Sequence, residues 1–463
     1  MVIGSTISDA LPCQRRAAAT PFAARETMPA PPLNVFQRLI QQWDAIHPYN
    51  AAQVMLVTHP VDAATADSTW RETLADLQVG AIPVRVQRHL DAAPLSAATA
   101  LPPLVQALDP NESSIDSHLS AELNRPFDPS GETPFRPFVL PHESGSRAYI
   151  GIVYQHRMAD SVSVRTVLRE WFFRMYHPTR ARRSPLRVAR GGYWTRFGPW
   201  RSSWPLIPTA LHSLSWATRL KKVRRVESKH FAQPQVRFAL HQLPEGTLGG
   251  LIDYARWKHV TLNDVFLAAI ARVCDRYVVG KANDRRYNLK LATIVDLRAT
   301  ARPPIPDDEF GLFLGFTGVL LRPRDMRDWD TLLRSIALQN VRNKQAHAAE
   351  SSQLRMAGAL IIGRLLKPDQ LMAFYRKRFP LAAGISNVNL NRTWVAEHAG
   401  RDIVDYFRVS PTGPIMPLVF TPSTLGDTLN FGMTYRESVI SPDLAATIAG
   451  EFAGQLVALA GAK

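Results

Sequence analysis

About a third of the way along the chain an imidazole and a carboxylate stand four residues apart, in Tyr154-Gln155-His156-Arg157-Met158-Ala159-Asp160-Ser161. An imidazole has an ordinary pKa of about 6.5, so it can take a proton from a hydroxyl or an amine near neutral pH. A carboxylate at this spacing can pin the turn by pairing with a cation from another segment, without touching a substrate. A plainer role also fits. Asp160 can cap the helix that follows, and His156 can be a satisfied core side chain. Spacing alone leaves both readings open.

Other common chemistries leave no pattern in the chain. There is no Gly-x-Ser-x-Gly elbow, no Walker loop and no His-Glu-x-x-His. The 13 histidines are scattered without metal-ligand spacing, so no metal site is expected. Of the two cysteines, Cys13 falls in an N-terminal tail and Cys274 in a helical pattern. That argues against a disulfide framework and fits a reducing, cytoplasmic setting. No stretch reads as a membrane span. The segment from Ser202 to Thr218 is interrupted by Pro205 and Pro208 and is shorter than the ~20 apolar residues a span needs.

A strand and a helix must position His156 and Asp160. Phe135 to Leu140 and Ala148 to Gln155 read as two strands around a turn-prone His142-Glu143-Ser144-Gly145-Ser146. The second is apolar enough to be buried on both faces. After Asp160, Val164, Val167, Leu168, Trp171 and Met175 share one side of a helix. Earlier come a helix with Val35, Leu39, Ile40 and Trp43 on its inner face, a strand over 53–58, a helix over 68–78, a strand over 83–90 and a helix over 114–124. Later come a strand over 236–240 and helices over 245–256 and 261–277, the second opening on Thr261 with Asp264 as a capping pair. Strands follow over 289–297 and 310–321, then helices over 327–348, 353–365 and 368–378. Short strands near 384–390, 403–408, 415–421 and 428–435 precede a last helix from Pro442.

Gln155-His156 with Asp160-Ser161 resembles the His-His-x-x-x-Asp-Gly motif of the CoA-dependent acyltransferase superfamily, which includes chloramphenicol acetyltransferase, BAHD enzymes, wax ester synthases and peptide-synthetase condensation domains. Further segments are similar in order and spacing: Thr261-Leu262-Asn263-Asp264-Val265, Val295-Asp296-Leu297-Arg298 with Glu309-Phe310-Gly311, Ser386-Asn387-Val388, and Leu429-Asn430-Phe431-Gly432. The resemblance spans roughly residues 34–458. It implies an α/β fold of two chloramphenicol-acetyltransferase-like subdomains with the active site in a tunnel between them. It implies His156 as general base, Asp160 paired with Arg298 as support, and no cofactor beyond an acyl-CoA or acyl-carrier-protein substrate. Gln155, Ser161, Ser386 and Asn387 become candidate substrate or oxyanion contacts. The chain departs from the motif at Gln155, where a first His is usual outside the BAHD enzymes, and at Ser161 in place of Gly.

The expected organisation is a flexible tail over 1–32, an N-terminal subdomain over 33–177 carrying the His/Asp turn, a connector over 178–231 and a C-terminal subdomain over 232–463. The connector holds most of the formal charge of +16. Residues 178–230 carry thirteen Lys and Arg against one acid, Glu227, interleaved with Trp194, Trp200, Trp204 and Trp216. Such a segment reads as a solvated crossover, or as a contact for an anionic membrane face or an acidic carrier protein. No nucleic-acid-binding signature accompanies it. The expected function is transfer of an acyl group from a CoA or carrier thioester to a hydroxyl or amine in lipid or natural-product biosynthesis. A non-catalytic relative that binds acyl carriers is the alternative. His47, in Ile46-His47-Pro48-Tyr49, is a turn residue by type and a weaker candidate for facing substrate.

Overall fold

The apolar run that ends at Gln155 is the middle strand of a sheet, and this alone fixes where His156 emerges. The computed structural model describes residues 33–79, 104–127, 133–189, 196–197, 220–226, 235–392 and 402–462. In chain order the first half is α1 (Val35–Asp44), β1 (Asn50–Val57), α2 (Ala63–Leu77), β2 (Gln106–Ala107), α3 (Ile115–Asn124), β3 (Phe135–Pro141), β4 (Ala148–Gln155), α4 (Ser161–Tyr176) and β5 (Arg187–Val188). The second half opens with β6 (Val236–Gln242), α5 (Thr247–Trp257), α6 (Leu262–Val273), β7 (Leu289–Asp296), β8 (Glu309–Phe310) and β9 (Leu314–Leu321). It continues with α7 (Trp329–Gln345), α8 (Ala348–Gly363), α9 (Pro368–Arg378), β10 (Ala383–Ile385), β11 (Val388–Asn389), β12 (Ile403–Val409), β13 (Leu418–Leu425), β14 (Thr428–Arg436) and α10 (Pro442–Ala460). The expected strand over 83–90, the tail over 1–32 and the four connector tryptophans lie outside the described residues.

One sheet has the order β12-β1-β4-β3-β2, and a larger one β6-β14-β13-β10-β7-β9. β4 lies between β1 and β3, antiparallel to both. Its inner face packs Ile150, Ile152 and Tyr154 against Val164, Leu168 and Trp171 of α4 and Trp70 of α2. The larger sheet buries Leu291, Phe420 and Phe431 against α5, α6 and α10. Thr261 and Asp264 form the expected capping box of α6. α10 is long and apolar enough to cross a membrane by length and composition. One face of it, with Ile448, Ala449 and Phe452, is packed into the core of the larger sheet.

β12 comes late in the chain, yet it pairs with β1 and completes the first sheet. Its Phe407 is fully buried, stacked on Phe238 of β6 at 6.1 Å and edge-on to Tyr149 of β4 at 6.2 Å. A core of Val54, Phe138, Phe238 and Phe407 therefore joins strands of both sheets.

Two expected strands are each broken in two. The run 310–321 stops after β8, which pairs with β5, and restarts at β9. The backbone between them is occupied elsewhere. Gly311 N–H donates to Ser163 Oγ at 3.0 Å, and Phe313 N–H donates to an Asp160 carboxylate oxygen at 3.1 Å. The run 384–390 divides into β10 and β11, with Ser386 and Asn387 between them. The last four residues of the expected helix over 261–277 belong instead to a wider five-residue turn, Cys274–Val278.

Phe407→Ala should cost about 3–5 kcal/mol, because it empties a ring-sized volume shared by both sheets. Urea unfolding followed by circular dichroism measures it, and a loss under about 1 kcal/mol would mean that the core does not bridge the sheets.

Candidate active site

β4 ends at Gln155, opposite Asn50 of β1. The ladder extends one step further, with His156 N–H donating to the Tyr49 carbonyl at 3.2 Å. The chain then turns, closed by Met158 N–H to the Gln155 carbonyl at 2.9 Å, and enters α4. The His156 ring is half-buried. It lies against Tyr49 at 5.8 Å in a stacked arrangement and against Tyr154 edge-on at 5.5 Å. Its Nδ1 is 3.1 Å from the Ala159 carbonyl oxygen. A carbonyl can only accept, so Nδ1 carries the proton and Nε2 keeps its lone pair. Burial lowers the pKa of this imidazole below its ordinary value. The Ala159 bond and the Asp160 charge partly oppose that, while Arg408 adds to it. Burial thus favours the neutral form of the ring.

Asp160 does both jobs that its position permits. It caps α4, accepting from Ser163 N–H at 2.9 Å. It also pairs with Arg298 just beyond β7, whose Nη2 lies 3.0 Å from both carboxylate oxygens. The two residues are 0% and 3% exposed. A buried ion pair is tolerated when its remaining donors and acceptors are largely satisfied, and here the Arg298 Nε is the donor left without a partner among the described residues. Arg298 Nη1 donates to the carbonyls of Pro306 and Glu309 at 2.9 Å each, and Nη2 to Ser163 Oγ at 2.8 Å. Asp160 N–H donates to the Gly311 carbonyl at 2.8 Å. The expected Asp160–Arg298 contact is therefore present, and it ties α4 to the end of β7.

The remaining candidates fare differently. Ser161 is the first residue of α4. Its Oγ accepts from Arg408 Nη1 at 3.1 Å, and its carbonyl from Gln53 Nε2 at 2.8 Å. Ser386 joins this group through its backbone: Arg408 Nη2 donates to its carbonyl oxygen. The side-chain amide of Gln155, a candidate substrate contact, is engaged within the fold. Strand alternation turns its side chain away from His156. Its amide donates to Asp44 at 2.7 Å and accepts from Arg157 at 3.0 Å. Asn387 is exposed between β10 and β11, and no hydrogen bond among the described residues ties it to the His156 turn. His47 bonds Asn124 of α3 at 3.0 Å and is buried.

Sequence reasoning missed Tyr49, Gln53 and Arg408. Gln53 and Arg408 are direct partners across β1 and β12. Both reach the N-terminus of α4, so the residue after Asp160 is fastened from the neighbouring strands. Gln53 and Arg408 as polar residues on otherwise apolar strands were the available signal. Their pairing needed the β1–β12 register, which no local pattern encodes.

A cavity of about 1090 Å³ opens beside the site. Leu39, Trp43, Phe316, Met356, Phe374 and Tyr375 supply its apolar wall, and Tyr49 lines it too. Tyr49 therefore stands between the His156 ring and this space.

The fold, with a His on a strand-to-helix turn beside a buried Asp160–Arg298 pair, is similar to those of solved condensation-domain and acetyltransferase structures. Residues 232–343 match the model of the family described as phthiocerol/phthiodiolone dimycocerosyl transferase C-terminus. Across the whole chain the fold is similar to the first condensation domain of the CDA synthetase, with 15% identity, 94% of this chain and 97% of that one covered, and a TM-score of 0.63. It is similar to polyketide synthase associated protein 5 from Mycobacterium tuberculosis, at 14% identity, 94% and 99% coverage and a TM-score of 0.60. It is also similar to a trichothecene 15-O-acetyltransferase from Fusarium sporotrichioides, at 11% identity, 92% and 94% coverage and a TM-score of 0.65. No curated protein sequence matches the chain.

Arg298→Ala leaves the Asp160 carboxylate buried and unpaired, so it should cost about 3–5 kcal/mol in chemical unfolding. The double variant Asp160→Asn/Arg298→Met should recover much of that loss, because it removes the stranded charge. Failure to recover would mean that the ion pair itself, not the penalty of breaking it, carries the stability. The His156 ring should titrate below about 6.5 by proton NMR. Its folded pKa is depressed, so the linked stability is full above the unfolded pKa and declines as pH falls from there through the folded value. A titration midpoint above 6.5 would contradict the lowered pKa.

Proposed function

We propose that the protein transfers an acyl group from a thioester to a hydroxyl or amine, with His156 as the general base. The observation that carries this reading is the half-buried ring whose Nδ1–H is occupied by the Ala159 carbonyl, leaving the Nε2 lone pair for a substrate proton. The acceptor gives its proton to Nε2 as its oxygen or nitrogen attacks the thioester carbonyl carbon. The resulting tetrahedral oxyanion collapses, the carbon–sulfur bond breaks, and the proton on Nε2 passes to the departing thiolate. No net oxidation or reduction occurs, and because the acceptor attacks the thioester directly the step passes through no covalent acyl-enzyme. Holding two substrates at one ring supplies a large part of the rate by removing the cost of bringing them together. The donor is an acyl-CoA or an acyl carrier protein. The Asp160–Arg298 clasp supports the reading by fixing the turn without competing for the ring.

In a panel of acyl-CoA and acyl-carrier donors with alcohols and amines, followed by release of free thiol, His156→Ala should lower turnover on the order of 100- to 10,000-fold. Binding of the donor should persist in that variant. Unchanged turnover would overturn the assignment, and donor binding without turnover in the natural chain would favour a carrier-binding role. The acid limb of the rate profile should have its midpoint below about 6.5, because the base must be unprotonated and its pKa is depressed.

A further inference from the structure

α8 is apolar on two sides. Met356, Ala359 and Leu360 face inward and pack in one core with Phe36, Ile40 and Trp43 of α1. A surface helix ordinarily turns charged or polar residues to the opposite side. Here the opposite side carries Leu354, Ile361 and, just beyond the helix, Leu365, with Ile362 beside them. All four are exposed, Ile361 by 64% and Leu365 by 82%. Steps of seven and four residues place Leu354, Ile361 and Leu365 on one stripe, about 16 Å long at the rise of an α-helix. Four of the eight large apolar side chains exposed among the described residues stand here. Such residues need no explanation singly, but a row of them does.

The charges around this ridge are nearly all of one sign. From Leu354 to Arg378 six Lys and Arg stand against one acid, Asp369. Arg364 and Lys367 flank Leu365 and are exposed, as are Lys377 and Arg378 at the end of α9. Lys221, from the end of the basic connector, is exposed too and lines the same cavity as Ile362, Leu366, Lys377 and Arg378. Arg225 ties that segment to α9 by donating to the Lys377 carbonyl at 3.4 Å. Among the described residues none of Lys221, Arg364, Lys367, Lys377 and Arg378 has a carboxylate within ion-pair distance.

We propose that the α8 ridge docks the protein on an anionic lipid bilayer, with Leu354, Ile361, Ile362 and Leu365 entering the apolar layer and the cations resting among the headgroups. Both parts of the pattern fit that occupant. A helix lying in a bilayer interface buries a strip of apolar side chains and keeps its cations at the level of the phosphates. Each Lys or Arg near an anionic leaflet adds an attraction that reaches about a Debye length. A protein partner fits less well. Protein interfaces favour aromatic residues and a rim of hydrogen bonds, whereas this ridge offers aliphatic chains and like charges. The contact does not rest on the acyl-transfer reading, because none of its residues touches His156.

Flotation of the full chain with lipid vesicles tests it. Phosphatidylcholine vesicles containing phosphatidylglycerol should bind the protein, and pure phosphatidylcholine should bind it about tenfold more weakly or worse. Added salt should weaken the binding to the mixed vesicles. Ile361→Ser/Leu365→Ser should lower that affinity about tenfold or more, since two apolar side chains leave the lipid. Circular dichroism checks that this variant is folded; should it not be, Leu365→Ser alone, beyond the helix end, serves with a smaller loss. Lys377→Gln/Arg378→Gln should lower the affinity and flatten its salt dependence. Trp257→Ser should leave binding unchanged, because Trp257 is exposed on α5, which packs in a different core. Undiminished binding in the folded Ile361/Leu365 variant, an equal loss in Trp257→Ser, or no binding to mixed vesicles would overturn the proposal. If vesicles fail and sedimentation instead shows a dimer that Ile361→Ser/Leu365→Ser dissolves, the ridge belongs to a second copy of the chain.

Discussion

One carboxylate holds the site together. Asp160 gives up its water completely, a loss the protein tolerates only because the chain surrounds it with donors: the Ser163 and Phe313 amides, the Ser163 hydroxyl and the Arg298 guanidinium. The three residues that supply them come from three places in the fold. Together they fix the first turn of α4, the backbone between β8 and β9 and the end of β7. The imidazole four residues earlier inherits that rigidity. Since both Asp160 oxygens are engaged by partners within the fold, the carboxylate holds the turn that carries His156.

The same interaction explains where local patterns in the sequence sufficed and where they failed. The continuous apolar run of β4 and the amphipathic α4 declared the turn, and their bounds are nearly those of the structure. Hydrophobic periodicity encodes elements that pack on one continuous surface. The break at 311–313 obeyed a different rule. Its glycine- and phenylalanine-rich residues look like strand, but their amides are drawn to Ser163 and Asp160, so tertiary hydrogen bonding overrode strand propensity. Gln155 shows what a motif leaves unsaid about side-chain direction. Its type and place suggested a substrate contact, whereas period-two alternation sends its amide to Asp44 and Arg157. The group of cations beside α8 was invisible because Lys221 joins Lys377 and Arg378 only in the fold.

Tyr49 and Arg408 show how the surroundings of His156 are divided. Tyr49 lies flat against the ring and faces the cavity on its other flank. Its tight fit explains Gly413, whose backbone is left-handed and where an added Cβ would lie 2.7 Å from the Tyr49 ring. Arg408 is 6% exposed and spans from the first sheet to the Ser386 carbonyl beyond β10. It is a second tie between the halves, and its positive charge disfavours protonation of the neighbouring imidazole.

The lateness of β12 has a consequence for biosynthesis. β1 needs β4 on one side and β12 on the other, and both lie later in the chain, by about a hundred and about three hundred and fifty residues. While the ribosome is still making residues 236–402, the nascent first sheet has an apolar, hydrogen-bonding edge with nothing to cover it. Contacts that close such long loops form slowly, and uncovered edges attract neighbours. A chaperone that shields β1 until Phe407 and Arg408 emerge would therefore influence the yield of native protein more than its final stability.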